Sequence, residues 1–156
     1  MKLAFYKEED FSSLIYELDE IQKRYTATPG NALNRIKNGE LSDAFAVTIF
    51  DQEKPVGFFV LDFGKDKLDI TENTDAVLLR SLSVNPDFQG KGLGKAAMTE
   101  IDDFIRKHFK NCNEIVLAVN QKNDPAYHMY CKAGYTYEGK TRIGRSGPQY
   151  LMYKKL

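Results

Sequence analysis

The sequence predicts one α/β domain in which strands and helices alternate in the order β-α-α-β-β-β-α-β-α-β-β. Three observations carry this. Some segments place apolar residues at helical spacing, as Leu93, Ala97, Ile101, Phe104, Ile105 and His108 do. Others form short continuous apolar runs, as in Val77–Val84 and Glu114–Val119, which suits buried strands. The chain has 156 residues, of which 42% are hydrophobic, enough for one sizeable core, and no linker, repeat or low-complexity stretch divides it.

The elements follow in order. Lys2–Tyr6 reads as a short strand. Phe11, Leu14, Ile15, Leu18 and Ile21 share one helical face and predict an amphipathic helix. Pro29 and Gly30 break the chain, and Leu33 and Ile36 support a second short helix. Ala44–Phe50 and Val56–Asp62 are predicted strands, joined as a hairpin through Asp51–Pro55, and Gly64–Thr74 is a polar loop. After the Val77–Val84 strand, a glycine-rich turn leads to a helix that starts near Gly92 and ends about Phe109. Asp124 then suits an N-cap, Pro125 the first helical position and Gly134 the C-terminal stop of another helix. The last strands lie near Tyr135–Arg142 and Tyr150–Lys154, connected by the turn-rich stretch Gly144–Pro148.

Composition narrows the function. Lys and Arg together number 22, as do Asp and Glu, so no net field points to nucleic acid or to an anionic membrane. Locally the balance shifts: Lys7–Glu20 and Asp62–Asp75 are acidic, whereas Lys132–Leu156 is basic. These are solvated faces on one reading. On the other, acids line an acceptor side that favours a cationic amine, or the basic segment serves phosphates or an acceptor carboxylate. Cys112 and Cys131 fit a reducing compartment without a disulfide framework. Leu3-Ala4-Phe5-Tyr6 is followed at once by charged residues, and no apolar run reaches the roughly 18 residues of a membrane span, so a cytoplasmic protein is expected.

The stretch from Val84 to Lys95 is the most informative. Glycines let a ligand approach the backbone, and a helix start offers unpaired N–H groups with a favourable dipole. Lys91 and Lys95 add positive charge, so the turn reads as an anion cradle, most plausibly for phosphates. A P-loop needs a glycine where Gln89 stands and a hydroxyl where Ala96 stands. A dinucleotide fingerprint needs a glycine where Lys95 stands. The pattern that fits is Gln-x-x-Gly-x-Gly, met by Gln89, Gly92 and Gly94. It resembles the acyl-CoA pyrophosphate loop of the GNAT superfamily of N-acetyltransferases. A second segment, Asn123, Ala126, Tyr130, Lys132, Gly134 and Tyr135, resembles that family's other hallmark. The resemblance is good over roughly residues 44–156 and holds only in outline before that.

The resemblance implies a mixed, mostly antiparallel central sheet flanked by helices on both faces, forming one domain over residues 1–156. It implies direct acetyl transfer from acetyl-CoA to a primary amine of a small molecule or peptide. The pyrophosphate would lie on Gln89, Gly90, Lys91, Gly92, Leu93, Gly94 and Lys95. Leu82 and Val84 would pair their backbone with the pantetheine arm, with a strand N–H serving the thioester oxygen. Asn123 would bind the same arm, against the alternative of simple helix capping. Tyr130 occupies the position of the general acid that protonates the leaving thiolate; by periodicity it also belongs to an apolar face with Ala126, Met129 and Ala133. Many members carry a glutamate on the fourth strand as base. Leu78 or Leu79 stands there instead, leaving Asp75, Glu72 or water as substitutes. Dimers are frequent in the family, so a homodimer is among the assemblies the resemblance allows.

Other candidates are minor. His128 with Cys131, and His108 with Cys112, have helical spacing but no further ligands for a metal. Cys131 is expected to be a buried or half-buried thiol, and Arg80 either a salt-bridge partner or an acceptor-site residue. An acyl-CoA-binding sensor with weak catalysis is the alternative to an enzyme, and the missing strand carboxylate is what favours it.

Overall fold

Seven strands make one sheet: β1 (Lys2–Phe5), β2 (Ala44–Asp51), β3 (Lys54–Asp62), β4 (Ala76–Val84), β5 (Glu114–Asn120), β6 (Thr136–Gly144) and β7 (Gly147–Lys155). Their spatial order is β1-β2-β3-β4-β5-β7-β6, and every neighbouring pair is antiparallel except β4 with β5. Five helices accompany them: α1 (Phe11–Leu14), α2 (Glu20–Tyr25), α3 (Pro29–Lys37), α4 (Leu93–His108) and α5 (Asp124–Lys132). The computed structural model describes residues 1–156, and its mixed, mostly antiparallel sheet with helices on both faces matches the expected class.

The alternation of strand side chains explains the two layers. Val47, Ile49, Phe59, Leu61, Val77, Leu79, Ile115, Leu117, Val119 and Met152 project to one face, where Ala97, Met98, Ile101, Phe104 and Ile105 of α4 complete the largest apolar cluster. The intervening residues project to the opposite face. There Phe58 and Val60 pack with Leu14 of α1 and Ala32 of α3. On the same side Leu78, Val116, Leu151 and Tyr153 enclose Ile70 and Ala76.

The N-terminal third departs from expectation. The single helix predicted from Phe11 to Ile21 is broken. A 3-10 turn at Glu8–Asp10 precedes α1, the chain leaves helical geometry at Ile15, and α2 begins only at Glu20. Asp19 caps α2, accepting from Gln22 N (2.8 Å), while Gln22 Oε1 receives Asp19 N–H, a reciprocal box that starts a new helix. Leu14 and Leu18 are buried, whereas Ile15 and Ile21 are about two-thirds exposed (63% and 64%), so the apparent stripe is not one buried face. Pro29 begins α3 rather than breaking the chain, because Thr28 accepts from Asn31 N and a proline loses nothing at the first helical position.

Smaller differences have equally local causes. The β2–β3 hairpin turns on Gln52 and Glu53 alone, both with positive φ, so its strands extend to Asp51 and Lys54. The supposed polar loop after β3 contains a 3-10 turn at Lys65–Asp69. It buries Ile70, whose carbonyl accepts from Tyr153 OH (2.8 Å), and Lys67, whose Nζ donates to Thr74 O (2.6 Å). Asn123, not Asp124, is the cap residue of α5.

Gly57 of β3 tests the packing of the sheet against itself. A Cβ there would stand 2.8 Å from Ser83 O and 3.0 Å from Ile49 Cδ1. Since a backbone carbonyl cannot retreat as a side-chain end can, Gly57→Ala is expected to destabilise the protein by about 1–3 kcal/mol in urea unfolding.

Candidate active site

The site begins where two strands part. β4 and β5 pair only through Ala76, Val77 and Leu78 against Glu114, Ile115 and Val116, although both strands continue further. A bulge coincides with the separation: Val60 of β3 faces Arg80, but Phe58 faces Ser83, so β4 holds an extra residue. Ser81 carries the irregularity with φ +59°, a left-handed conformation uncommon for a residue with a side chain. Beyond the bulge, Leu82 and Val84 turn their side chains to the α4 face. The carbonyls of Leu82 and Val84 accept from side chains, Thr26 Oγ1 (3.4 Å) and Gln89 Nε2 (2.9 Å). A cleft of about 840 Å³ fills the gap.

The turn between β4 and α4 forms one wall. Asn85 accepts from Asp87 N (3.0 Å) and sets a 3-10 turn at Pro86–Phe88. Gln89 then joins two elements, donating to Val84 O while its Oε1 accepts from Gln22 Nε2 (3.0 Å) of α2. Gly90 and Gly92 have φ +80° and +75°, and a Cβ at either would meet no atom within 4 Å, so the turn is open on its outer side. Gly92 caps α4 without any side-chain bond, leaving the first N–H groups of a 16-residue helix to whatever approaches. Leu93 anchors the turn in the core.

The opposite wall is α5. Asn123 makes no side-chain capping bond, although its carbonyl accepts from Tyr127 N (3.0 Å). Tyr130 is half-buried, its ring edge-on to Tyr135 at 5.6 Å between centroids. Burial pushes its hydroxyl up to about 12, and no hydrogen bond offsets that rise. The phenol therefore keeps its proton across the neutral range.

Of the residues singled out from the sequence, Leu82, Val84, Gln89, Gly90, Gly92, Leu93, Gly94, Lys95, Asn123 and Tyr130 all line this cleft. Lys91 does not; its ammonium sits 5.1 Å from the Phe88 ring centroid. Asp75 and Glu72 are exposed and lie outside the cleft, so neither is placed to act as a base. Asp19 is the only carboxylate in the lining. Arg80 is a salt-bridge partner, pairing with Asp62 (3.0 Å) and Asp66 (2.9 Å), and it also lines the cleft. Cys131 is exposed rather than buried, because it lies on the outer side of α5.

Sequence reasoning missed the side that α2 and the β6–β7 hairpin build. Ser146 Oγ donates to Arg24 O (2.5 Å), and Asn120 Nδ2 donates to Ser146 O (3.0 Å), so the hairpin tip reaches across from the end of β5 to α2. The basic character of the C-terminal segment was the only sequence signal for this.

Comparisons with known proteins agree with this architecture. The family model described as acetyltransferase (GNAT) family matches residues 11–135. The chain is 37% identical over 155 residues to the uncharacterized N-acetyltransferase YbbJ of Bacillus subtilis (strain 168), covering 98% of this chain and 96% of that protein. Among solved structures, AAC(6')-Ib in complex with paromomycin and acetyl-CoA superposes with a TM-score of 0.79 at 16% identity, over 98% of this chain and 92% of that one. Spermidine N-acetyltransferase from Vibrio cholerae, in complex with CoA and spermine, gives 0.71 at 18% identity, over 99% and 94%.

The raised hydroxyl of Tyr130 has a consequence for alkaline stability. Below the ordinary tyrosine value of 10.0 both folded and unfolded chains hold the proton, and the contribution of Tyr130 is fully present. As pH rises from 10.0 toward about 12 the unfolded chain ionises first, and that contribution is lost. Denaturant midpoints recorded across this window should therefore fall less steeply for Tyr130→Phe than for the parent protein.

Proposed function

This chain belongs to the GNAT acetyltransferase family, and from that premise we propose that it transfers the acetyl group of acetyl-CoA directly to a primary amine of a small molecule or peptide. One observation carries the reading. An open helix start, backbone groups of β4 outside the sheet ladder, an uncommitted asparagine amide and a protonated tyrosine converge on a single cleft. Relatives that share the fold include proteins solved with spermine or an aminoglycoside, both amines, beside CoA or acetyl-CoA.

Each residue then has a physical task. The first N–H groups of α4, presented by the left-handed Gly90 and Gly92, suit a pyrophosphate, and Lys95 adds a charge at the same helix end. Leu82 and Val84 offer backbone groups to an extended pantetheine arm, and Asn123 offers its side-chain amide. Acetyl-CoA supplies a thioester whose carbonyl carbon the amine attacks. The C–N bond forms, the C–S bond breaks, and the amine's proton passes to solvent. Tyr130 gives its hydroxyl proton to the departing thiolate and regains one from solvent. The cleft lacks a strand carboxylate, so the amine must lose its proton to water or arrive with a low pKa.

Release of free CoA thiol in the presence of candidate amines tests the reading and separates it from a sensor that binds acetyl-CoA without turnover. Acceptor-dependent release supports transfer; tight acetyl-CoA binding with no release from any amine favours the sensor.

Two variants examine the parts separately. Gly92→Val forces a β-branched residue into φ +75° at the mouth of the turn, and acetyl-CoA affinity by calorimetry should fall severely in a protein that remains folded. Wild-type affinity would remove the pyrophosphate assignment. Tyr130→Phe keeps the ring and its packing but not the proton. Single-turnover transfer should drop roughly 10²–10⁴-fold with little change in acetyl-CoA affinity. Full activity at unchanged melting temperature would leave Tyr130 as a packing residue.

A further inference from the structure

Residues of the α4–α5 wall and residues of α2 and the β6–β7 hairpin line the same cleft. The α4–α5 face holds the helix start, Asn123 and Tyr130. The α2–hairpin side carries Arg24 at the end of α2, Arg142 of β6 and Arg145 at the hairpin tip. Strand parity places Arg142 on that side. It stands opposite Gln149, two residues before Leu151, which packs with Leu78 and Val116 on the face away from α4. The Ser146 bonds to Arg24 O and from Asn120 hold Arg24 and Arg145 close in space.

These arginines have less countercharge than the others in the lining. Arg80 is held by Asp62 and Asp66, and Arg35 by Glu40 (2.9 Å). Arg142 has only the exposed Asp69, at 3.9 Å, while its Nε donates to Gln149 Oε1 (2.8 Å). Arg24 and Arg145 have no carboxylate within 4.0 Å. Asp19, the one acid in the lining, is occupied in capping α2.

We propose that the acceptor amine carries a carboxylate, which Arg24, Arg142 and Arg145 hold on the α2–hairpin side of the cleft. The substrate class is then amino acids or short peptides rather than polycations. This deepens the acetyltransferase reading of the same cleft and rests on it. Guanidinium groups match a carboxylate bidentately, and always-charged arginines repel a polyamine. The same positive field lowers the pKa of an entering ammonium group, which eases loss of its proton where no carboxylate base is available. The α-amino group of a peptide already ionises at about 8, against about 10.4 for a lysine side chain, so peptide acceptors need the least help.

The experiment uses the full chain and acetyl-CoA, with thiol release measured for matched pairs. Free L-amino acids and short dipeptides are each compared with the same compound carrying an amidated carboxylate; spermine and kanamycin complete the panel. The carboxylate-bearing member should be preferred in kcat/KM by about tenfold or more, and the separate arms show whether free amino acids or peptides are the source. Arg24→Gln and Arg145→Gln should raise acceptor KM while leaving the KM for acetyl-CoA unchanged, with Arg145→Lys intermediate. Equal use of amidated amines, preference for the polycations, or a rise confined to the acetyl-CoA KM would overturn the proposal and leave the acetyltransferase reading standing. Absence of transfer to every amine, in a protein that binds acetyl-CoA by calorimetry, would remove both.

Discussion

The separation of β4 from β5 beyond Leu78 and Val116 is the constraint on which the rest of the site depends. Two parallel strands that stayed paired would bury their facing N–H and C=O groups in the ladder and leave no opening through the sheet. The bulge at Ser81 releases β4 from that register, and the carbonyls beyond it find other partners. Thr26 serves Leu82, and Gln89 serves Val84. The amides extend this arrangement. Asp19 caps Gln22, Gln22 donates to Gln89, and Gln89 donates to Val84, so the start of α2, the glycine turn and the freed strand are held as one unit.

Buried aromatic side chains near α5 combine packing with proton retention. Tyr130 and Tyr135 lie edge to face, and burial raises both hydroxyls. Their surroundings differ. Tyr135 is 2% exposed and its OH has no partner, lying near the Asp102 carboxylate that pairs with Lys154. Tyr130 reaches the cleft instead. The same burial that shapes the apolar face of α5 keeps the Tyr130 phenol protonated near neutrality, the state that the proposed transfer to a thiolate starts from.

Charge is sorted by the fold rather than by the chain total. A protein with equal numbers of acids and bases nevertheless builds a cleft whose lining contains one carboxylate, because Asp62 and Asp66 are spent on Arg80 and Asp10 is buried beside Thr48. Of the acidic segment Lys7–Glu20 the lining includes Leu18 and a single acid, Asp19, whereas the basic C-terminal segment contributes Arg142 and Arg145.

The sequence by itself determined the class of the fold, the glycine turn and most of the cleft's α4–α5 wall. Those features rest on local causes: helical and strand periodicity, a backbone that only glycine adopts readily, and residues a few positions apart on one helix. It did not reveal the break after Leu14, since Ile15 and Ile21 sit at helical spacing without being buried together. Nor did it reveal the junction where Arg24 meets Ser146 across more than a hundred residues of chain. Only the assembled sheet, with β7 inserted between β5 and β6, brings the hairpin tip to α2. Contacts between elements distant in sequence have no periodicity to betray them, so the α2–hairpin side of the cleft was decided by tertiary structure.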